Sequence, residues 1–306
     1  MIVTHDGLRG VRVIALAIDP ITPTTLFAGT MNGLFKSTDG GETWSSPNTG
    51  LTTNEIWVLA MDPVTPATLY AGTRIGVFKS LDGGETWNAA NAGLTHTEVL
   101  ALAIDPVTPS TLYAGTEDGV FKSIDSGGTW EEIINGLVNF SPITVLPITI
   151  DPRTPTTLYA GAWTGVFKSV DGGGNWSKLE TGLPIYMLHA LLIDPIRPTT
   201  LYAATGGVLY KSTDAGKSWF VALVDRRSMN FRTLVMDPQT PSTLYAGTGG
   251  GVFKSTDGGG NWVEANAGLT KTSVYKLVMD PFSPIILYAG TEIGVFKSMD
   301  GGETWD

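Results

Sequence analysis

The chain has 306 residues, of which 42% are hydrophobic and 16% charged, with 38 Gly, 18 Pro, no Cys and a formal net charge of −10. The absence of Cys excludes disulfides, thiolate metal sites and a cysteine nucleophile. The composition excludes a disordered or collagen-like chain, and no apolar run reaches the roughly 18 residues that a membrane-spanning helix needs.

A repeat marked by Asp-Pro pairs runs through the whole sequence. Successive pairs are 43 residues apart, except for one spacing of 46 that contains an insertion around Val138 to Pro142. The first residues of the pairs are Asp19, Asp62, Asp105, Asp151, Asp194, Asp237 and Asp280. A fixed period of this length is typical of repeat architectures, in which each unit is one supersecondary element. The sequence therefore predicts seven units.

Each unit reads as four strands in the same order, as unit 3 illustrates. The apolar run Val99–Ile104 predicts a first strand that is buried on both faces. A proline-containing connection follows it, and a second strand begins at Leu112. The alternating stretch Gly119–Ser123 predicts a third strand, and a tight turn leads to Trp130, which opens a fourth. Four such strands form one antiparallel blade.

These units predict an all-β fold, a seven-bladed β-propeller, because radial packing covers both apolar faces of each blade and leaves only short edges. Residues 1–306 would form a single propeller. Met1 falls at the repeat phase of Trp87, so we expect residues 1–8 to pair with the last blade. Ile2 to Thr4 would then supply the outer-strand residues that this blade lacks after Asp306, which closes the ring.

The repeat also accounts for most of the negative charge. Fourteen acidic residues and seven lysines occupy fixed repeat positions and together contribute −7 of the net −10. The 15 acidic and 12 basic residues elsewhere nearly balance. Because nucleic-acid affinity depends on clustered Lys and Arg, we expect no nucleic-acid partner.

A Gly-rich turn precedes each repeated Trp and reads STDGGETW in unit 1, from Ser37 to Trp44. Its Asp carboxylate can accept backbone N–H bonds, its Gly residues permit positive φ, and its Trp buries a large surface. The turn closely resembles the Asp-box, or bacterial neuraminidase repeat, S-x-D-x-G-x-T-W, and the resemblance implies a structural role on the outer rim. The residues concerned are Asp39, Asp82, Asp125, Asp171, Asp214, Asp257 and Asp300, with Trp44, Trp87, Trp130, Trp176, Trp219, Trp262 and Trp305.

Calcium binding is the alternative interpretation of these turns. Only three of them contain a Glu, namely Glu42, Glu85 and Glu303, and none has the alternating acidic ligands of an EF-hand loop. Turns that satisfy their own polar groups explain all seven. We therefore predict no metal site and no cofactor.

Function is expected where the units differ, on the face formed by the connections into the first strand and by the tips between the second and third. One variable position lies five residues before Asp-Pro and contains Ile14, Trp57, Leu100, Leu146, His189, Arg232 and Tyr275. The predicted ligand-binding residues are Phe140, Trp163, Tyr186, His189, Arg226, Arg227 and Arg232, since aromatic residues beside Arg are typical of binding hot spots. Alternatively, Trp163 and Phe140 pack on each other and Arg226 and Arg227 form a solvated pair.

Asp-box propellers also include sialidases and xyloglucanases, which makes glycoside hydrolysis an alternative function. Glu98 with Glu117 or Asp118 could supply the two carboxylates, and Arg227, Arg232 and Tyr275 resemble a sialidase's carboxylate-binding groups. The likeness is incomplete. Sialidases have six blades with catalytic groups in long insertions, and xyloglucanases form their cleft between two propellers.

The chain is also similar to the photosystem II assembly and stability factor family, whose seven-bladed Asp-box propellers act as binding platforms. We therefore favour a non-catalytic, monomeric binding or scaffold propeller that presents one face to a protein segment or a glycan. The family resemblance implies an extracellular or periplasmic location. A third alternative is a recently amplified or engineered repeat without a specific ligand, because units 2 and 7 differ at only two of 19 positions, Arg74 for Glu292 and Leu81 for Met299.

Overall fold

The computed structural model describes residues 7–137, 144–179, 183, 188–224, 230–269 and 272–306. Within these residues the chain forms 26 strands and no helix. The strands make seven separate antiparallel sheets of three or four strands, and in each sheet the spatial order follows the chain order. Each sheet is one blade, numbered here by its repeat unit.

The strands agree with the four predicted segments of the repeat. The innermost strands are Val13–Ile18, Ile56–Met61, Val99–Ile104, Val145–Ile150, Leu188–Ile193, Phe231–Met236 and Val274–Met279. The second strands are Leu26–Thr30, Leu69–Thr73, Leu112–Thr116, Leu158–Ala162, Leu201–Thr205, Leu244–Thr248 and Leu287–Thr291. The third strands are Gly33–Ser37, Gly76–Ser80, Gly119–Ser123, Gly165–Ser169, Val208–Ser212, Gly251–Ser255 and Gly294–Ser298. The outermost strands of blades 2 to 6 are Asn88–Ala89, Glu131–Glu132, Ser177–Lys178, Phe220–Val224 and Val263–Glu264.

The seven blades form a closed ring, which confirms the predicted seven-bladed propeller. Each innermost strand contacts the innermost strands of both neighbouring blades, and Val13–Ile18 of blade 1 contacts Val274–Met279 of blade 7. The apolar core lies between adjacent blades. At the junction of the last and first blades, for example, Leu8 and Val13 pack with Trp44 and Tyr288.

Adjacent blades are also joined by a polar contact that recurs around the ring. In blade 2, the Tyr70 hydroxyl and the Lys79 amine both donate to the carbonyl oxygen of Ser126, in the Asp-box turn of blade 3, at 3.0 and 2.7 Å. The equivalent Tyr113 and Lys122 of blade 3 donate to Gly172 of blade 4. These bonds anchor the turns of blades 3 and 4 to the preceding blade, whereas in blade 1 Phe27 replaces the Tyr and Lys36 binds Glu85 of blade 2.

The predicted pairing of Ile2 to Thr4 with the last blade falls on residues outside the described part of the chain. Gly7 and Leu8 are described: Gly7 lies against Trp44, as Gly50 lies against Trp87, and Leu8 is completely buried. At the outer edge of blade 7, the backbone of Lys297 pairs with Asp306 through bonds of 2.8 and 3.0 Å. Asp306 is therefore the backbone partner of Lys297, the place in the outer strand at which the repeat phase would put Ile2.

Candidate functional site

Each innermost strand contains an irregularity in its pairing close to its start. In blade 1, Val13 pairs with Thr30 and Ala15 with Gly29, so that Ile14 is an extra residue without a partner. The extra residues in the other blades are Trp57, Leu100, His189, Arg232 and Tyr275, and in blade 4 Leu146 and Pro147 together face the single residue Gly161, so that Leu146 takes the bulge position. A bulge of this kind bends the strand and re-aims its side chains. The variable position found in the sequence is therefore the bulge position.

All seven bulge residues line a cavity of about 270 Å³ in the centre of the ring. The residues that follow them in the innermost strands line it too. Since Val13 pairs with Thr30, which directly precedes the tip Met31 and Asn32, the bulges and the tips lie toward the same end of the ring. We call this end the tip face.

The bulge residues divide the cavity into an apolar half and a polar half. Blades 1 to 4 contribute Ile14, Trp57, Leu100 and Leu146, whereas blades 5 to 7 contribute His189, Arg232 and Tyr275. The seven residues follow the order of the blades, so the two halves face each other across the channel. An anionic or hydrogen-bonding group would therefore be attracted to one side only.

The polar half is built around Tyr275. The guanidinium carbon of Arg232 lies 4.2 Å from the centre of the Tyr275 ring, and that of Arg12 lies 5.6 Å from it. Such cation–π contacts hold both cations beside the aromatic ring. Burial, together with the positive charge of Arg232, lowers the pKa of His189, so the imidazole is neutral at neutral pH and can donate one hydrogen bond and accept another.

Lys276 is a second cation in this cavity, and it was not among the residues predicted from the sequence. Its side chain is accessible to the water of the channel but surrounded by protein, and this desolvation lowers the pKa of its ammonium group. The equivalent residues of the other blades are uncharged: Ala15, Val58, Ala101, Pro147, Ala190 and Thr233. That contrast within the repeat is the signal that could have identified Lys276.

The predicted ligand-binding residues lie in three places. His189 and Arg232 meet in the channel cavity. Trp163 lies at the tip of blade 4, where 49% of its surface is exposed, and it does not line the cavity. Phe140, Tyr186, Arg226 and Arg227 lie outside the described residues.

Two of the three carboxylates considered for glycoside hydrolysis lie beside a basic side chain on the tip face. Glu98 forms an ion pair of 3.3 Å with Arg74, and Asp118 lies 3.7 Å from His96. Glu117 is exposed, and its backbone carbonyl accepts a hydrogen bond from Thr144. None of the three lines the channel cavity as the structure describes it.

The Asp-box carboxylates bind groups of their own turns. In blade 3, Asp125 accepts bonds from the Thr129 amide at 2.8 Å, the Thr129 hydroxyl at 2.8 Å and the Ser123 hydroxyl at 2.8 Å. The same three contacts occur in the other six boxes, with Asn175, Ser218 and Asn261 in place of Thr in blades 4 to 6. Among the described residues, no group of three or more His, Asp or Glu side chains could hold a metal ion.

Comparisons with known proteins agree with the repeat and the fold. Residues 35–46 match the model of the BNR/Asp-box repeat. No match to the sequence was found among curated proteins. A GH74 xyloglucanase from Xanthomonas campestris has a similar structure, with a TM-score of 0.82 and 18% identity over 99% of this chain and 55% of the other. The chain thus spans about half the length of that enzyme.

Two other similar structures belong to proteins of different kinds. YCF48 bound to a D1 peptide has a TM-score of 0.73 and 18% identity, over 95% of this chain and 93% of the other. The extracellular domain of a one-component system from B. thetaiotaomicron has a TM-score of 0.73 and 17% identity, over 94% of this chain and 38% of the other. At these identities the likeness concerns the fold. The chain is a seven-bladed β-propeller built from Asp-box repeats.

Proposed function

We propose that this propeller is a non-catalytic binding module that presents its tip face to a protein segment. The observation that carries the proposal is the concentration of symmetry-breaking residues at this end of the ring. The channel mouth contains Trp57, Arg232 and Tyr275, and Trp163 stands at a tip. Trp, Tyr and Arg are the residue types most enriched in binding hot spots.

The tips add exposed apolar side chains to this face. Met31, Ile75, Trp163 and Ile293 are each between 43% and 49% exposed. The tip of blade 3 is acidic, with Glu117 and Asp118, and the tips of blades 5 and 6 each consist of two glycines. An extended segment with spaced apolar residues would find several shallow contacts around a cationic centre, and its main chain could bond to the bulges.

The opposite face also exposes apolar side chains, but these follow the repeat. Ile21, Val64, Val107, Ile196 and Phe282 occupy the residue after Asp-Pro in five of the seven blades, with exposures from 45% to 69%. A position that is filled alike in most blades cannot select one orientation of a partner. We therefore assign the partner to the tip face and use the opposite face as a control.

A similar structure with a bound peptide and the placement of the tip-face carboxylates support binding rather than hydrolysis. YCF48, which is similar over nearly its whole described length, was solved with a peptide bound. Glu98 pairs with Arg74 and Asp118 lies 3.7 Å from His96, and neither lines the channel cavity, whereas a glycosidase needs two carboxyl groups that face one substrate cleft. By the same resemblance, together with the extracellular domain among the neighbours, we propose an extracellular or periplasmic location.

Selection of random peptides on the purified protein tests this proposal. We expect selected peptides to bind the wild-type protein, to lose affinity for Trp163→Ala and Arg232→Ala, and to bind Val64→Ser with Val107→Ser as they bind wild type. Peptides that discriminate only the Val64 and Val107 variant would place the partner on the opposite face and overturn the proposal.

Two parallel assays separate the alternatives. A glycan array tests for carbohydrate binding at the same face, and chromogenic sialosides and xyloglucan oligomers test for hydrolysis. Turnover that is abolished by Glu98→Gln or Glu117→Gln would identify a glycoside hydrolase. If neither peptides nor glycans bind, the amplified or engineered repeat without a specific ligand becomes the better interpretation.

A further inference from the structure

The channel cavity contains an ammonium group without a counter-ion. Lys276 lines the cavity together with Arg232, and no Asp or Glu is present in the described lining. Among the described residues, Lys276 makes no ion pair and no hydrogen bond through its amine. The chain as a whole is acidic, with a net charge of −10, so a cationic cavity is contrary to its overall charge.

Lys276 faces the water of the channel and not the outer surface of the ring. A charged group that is partly withdrawn from bulk water and has no partner weakens the folded protein. The surrounding protein accordingly lowers the pKa of the Lys276 ammonium, because desolvation disfavours its charged form. The repeat offers an alternative at no cost, since the same position is Ala in three other blades, at Ala15, Ala101 and Ala190. A lysine at a position where three blades have Ala, in the same cavity lining as Arg232 and without an acidic residue in that lining, points to an anionic ligand.

The polar half of the cavity provides further groups for an anion. Arg232 lies against the face of Tyr275 at 4.2 Å, which fixes the guanidinium next to the strand that carries Lys276. His189, on the other side of Arg232 in the blade order, is neutral at neutral pH because burial and Arg232 lower its pKa. It adds a hydrogen-bond donor without adding charge. Arg and Lys together favour an oxyanion, which accepts charge-assisted hydrogen bonds from both.

The opposite half of the cavity would not stabilise an anion. Trp57, Leu100 and Leu146 present apolar side chains across from Arg232 and Tyr275. A fully hydrated anion such as inorganic phosphate would leave this wall unused. A ligand with an anionic end and an apolar body would contact both halves at once.

The size of the cavity limits the ligand. Its volume of about 270 Å³ is just below the roughly 300 to 1,000 Å³ of pockets that hold drug-sized ligands. A single ring or a short aliphatic chain with one acidic group fits this space. Larger ligands would have to extend out of the channel mouth.

We propose that the central channel binds a small carboxylate with an apolar body, which places its carboxylate at Lys276 and Arg232 and its body against Trp57, Leu100 and Leu146. This site shares Arg232 and Trp57 with the channel mouth, but its ligand is a small molecule held at Lys276 and does not require a bound protein segment. The ligand fills the channel below the mouth. Lys276 is the residue of this position that distinguishes blade 7 from the other six blades.

Titration calorimetry with 3-phenylpropionate tests the site. We expect Lys276→Met to weaken binding by about 10-fold or more, the range of one charge-assisted hydrogen bond. The control Lys217→Met removes the same charge from an exposed Asp-box turn of blade 5 and should leave binding unchanged. Equal affinity of the wild-type protein and Lys276→Met, or no binding to the wild-type protein, would overturn the proposal.

Two further probes separate the contributions of the charge and the apolar body. The neutral 3-phenylpropionamide should bind at least about 10-fold more weakly than 3-phenylpropionate. Inorganic phosphate should not compete with 3-phenylpropionate. Equal binding of acid and amide would show that the ammonium is not used, and effective competition by phosphate would show an anion site without the apolar half. Either result contradicts the proposal.

A measurement on the wild-type protein covers the case in which Lys276→Met does not fold. Reductive ¹³C-methylation labels the lysine amines for NMR, and the Lys276 signal is assigned by its loss in Lys276→Arg, because burial also lowers the pKa of Lys79, Lys168 and Lys211. Addition of 3-phenylpropionate should raise the pKa of that amine, because a bound carboxylate stabilises the ammonium form. An unchanged titration at saturating 3-phenylpropionate would contradict the assignment.

Discussion

The hydroxyl of Tyr288 donates a 3.2 Å hydrogen bond to the carbonyl oxygen of Gly40, which lies 248 residues earlier in the chain. The Lys297 amine donates to the same oxygen at 3.0 Å. These bonds are the counterpart, between blade 7 and blade 1, of the contacts that Tyr70 and Lys79 make with Ser126. The first and last blades are therefore joined in the same way as blades in the middle of the chain.

A double-mutant cycle tests whether this junction is as tight as the others. We expect Tyr288→Phe and Lys297→Met each to lower the free energy of unfolding by about 1 kcal/mol, the usual contribution of one hydrogen bond. The double variant should lose more than the sum, because the buried Gly40 carbonyl then has neither donor. Chemical denaturation measures all three.

The matched control is the same cycle at Tyr70 and Lys79, between blades 2 and 3. Similar coupling energies in both cycles are expected for a closed ring. A measurable coupling between blades 2 and 3 with none between blades 7 and 1 would indicate that the ring is open in solution.

The stability of the fold should depend on pH in a window set by the Asp-box carboxylates. Hydrogen bonds from Thr86 and Ser80 lower the pKa of Asp82 from its usual 3.8 to about 2, and bonds from Thr129 and Ser123 lower the pKa of Asp125 to about 2. Between these values the unfolded state binds more protons than the folded state, so stability falls as pH falls. We expect the melting temperature to decline mainly from about pH 4 to about pH 2.

Calorimetry across this range measures the decline, and Asp125→Asn provides the control. This variant should be less stable at pH 7, because one of its oxygens becomes a donor, and its melting temperature should depend less steeply on acid. A decline that is already complete between pH 6 and pH 5 would assign acid sensitivity to groups other than the Asp boxes.

Much of the architecture was predictable because each blade repeats the same local sequence pattern. The apolar run Val99–Ile104, the prolines after it and the turn before Trp130 specify strand, connection and strand in every unit, and the structure has these elements at the predicted places. The ring follows from the identity of the units, since each must cover the same two faces.

The candidate site was less predictable because of the bulges. Strict alternation would send only one of two adjacent strand residues into the channel, and the sequence singled out Tyr275 while passing over Lys276. The unpaired Tyr275 shifts the register between Val274 and Lys276, so that Tyr275 and Lys276 both line the cavity. Arg12 was also missed, because its contact with Tyr275 crosses from blade 1 to blade 7.

Gly136, which precedes the buried Leu137 in the connection between blades 3 and 4, should tolerate no side chain. Gly136 has φ of +92°, and a Cβ there would lie 1.9 Å from the carbonyl oxygen of Trp176. Gly136→Ala combines backbone strain with a clash against backbone atoms, so we expect a loss of several kcal/mol, within the range of the most damaging single substitutions. Gly10→Ala is the control, because Gly10 has φ of +75° but nothing within 4 Å of its Cβ position, and its cost should be about 1 kcal/mol. Equal losses in urea denaturation would contradict the packing of Trp176 on this connection.

Removal of the channel ammonium should stabilise the protein in the absence of any ligand. Lys276→Met shortens the side chain by one atom and removes an uncompensated charge, which we expect to raise the free energy of unfolding by up to about 1 kcal/mol at neutral pH, because channel water screens the charge. The effect should shrink as pH rises from the lowered pKa of Lys276 toward the usual value of 10.5, because in that range the unfolded state binds the proton and the folded state does not. Lys217→Met, in an exposed turn, should change stability little at any pH. A Lys276→Met protein that is less stable than wild type at pH 7 would mean that the ammonium has a partner in the folded chain, and the channel would then need no anion to neutralise it.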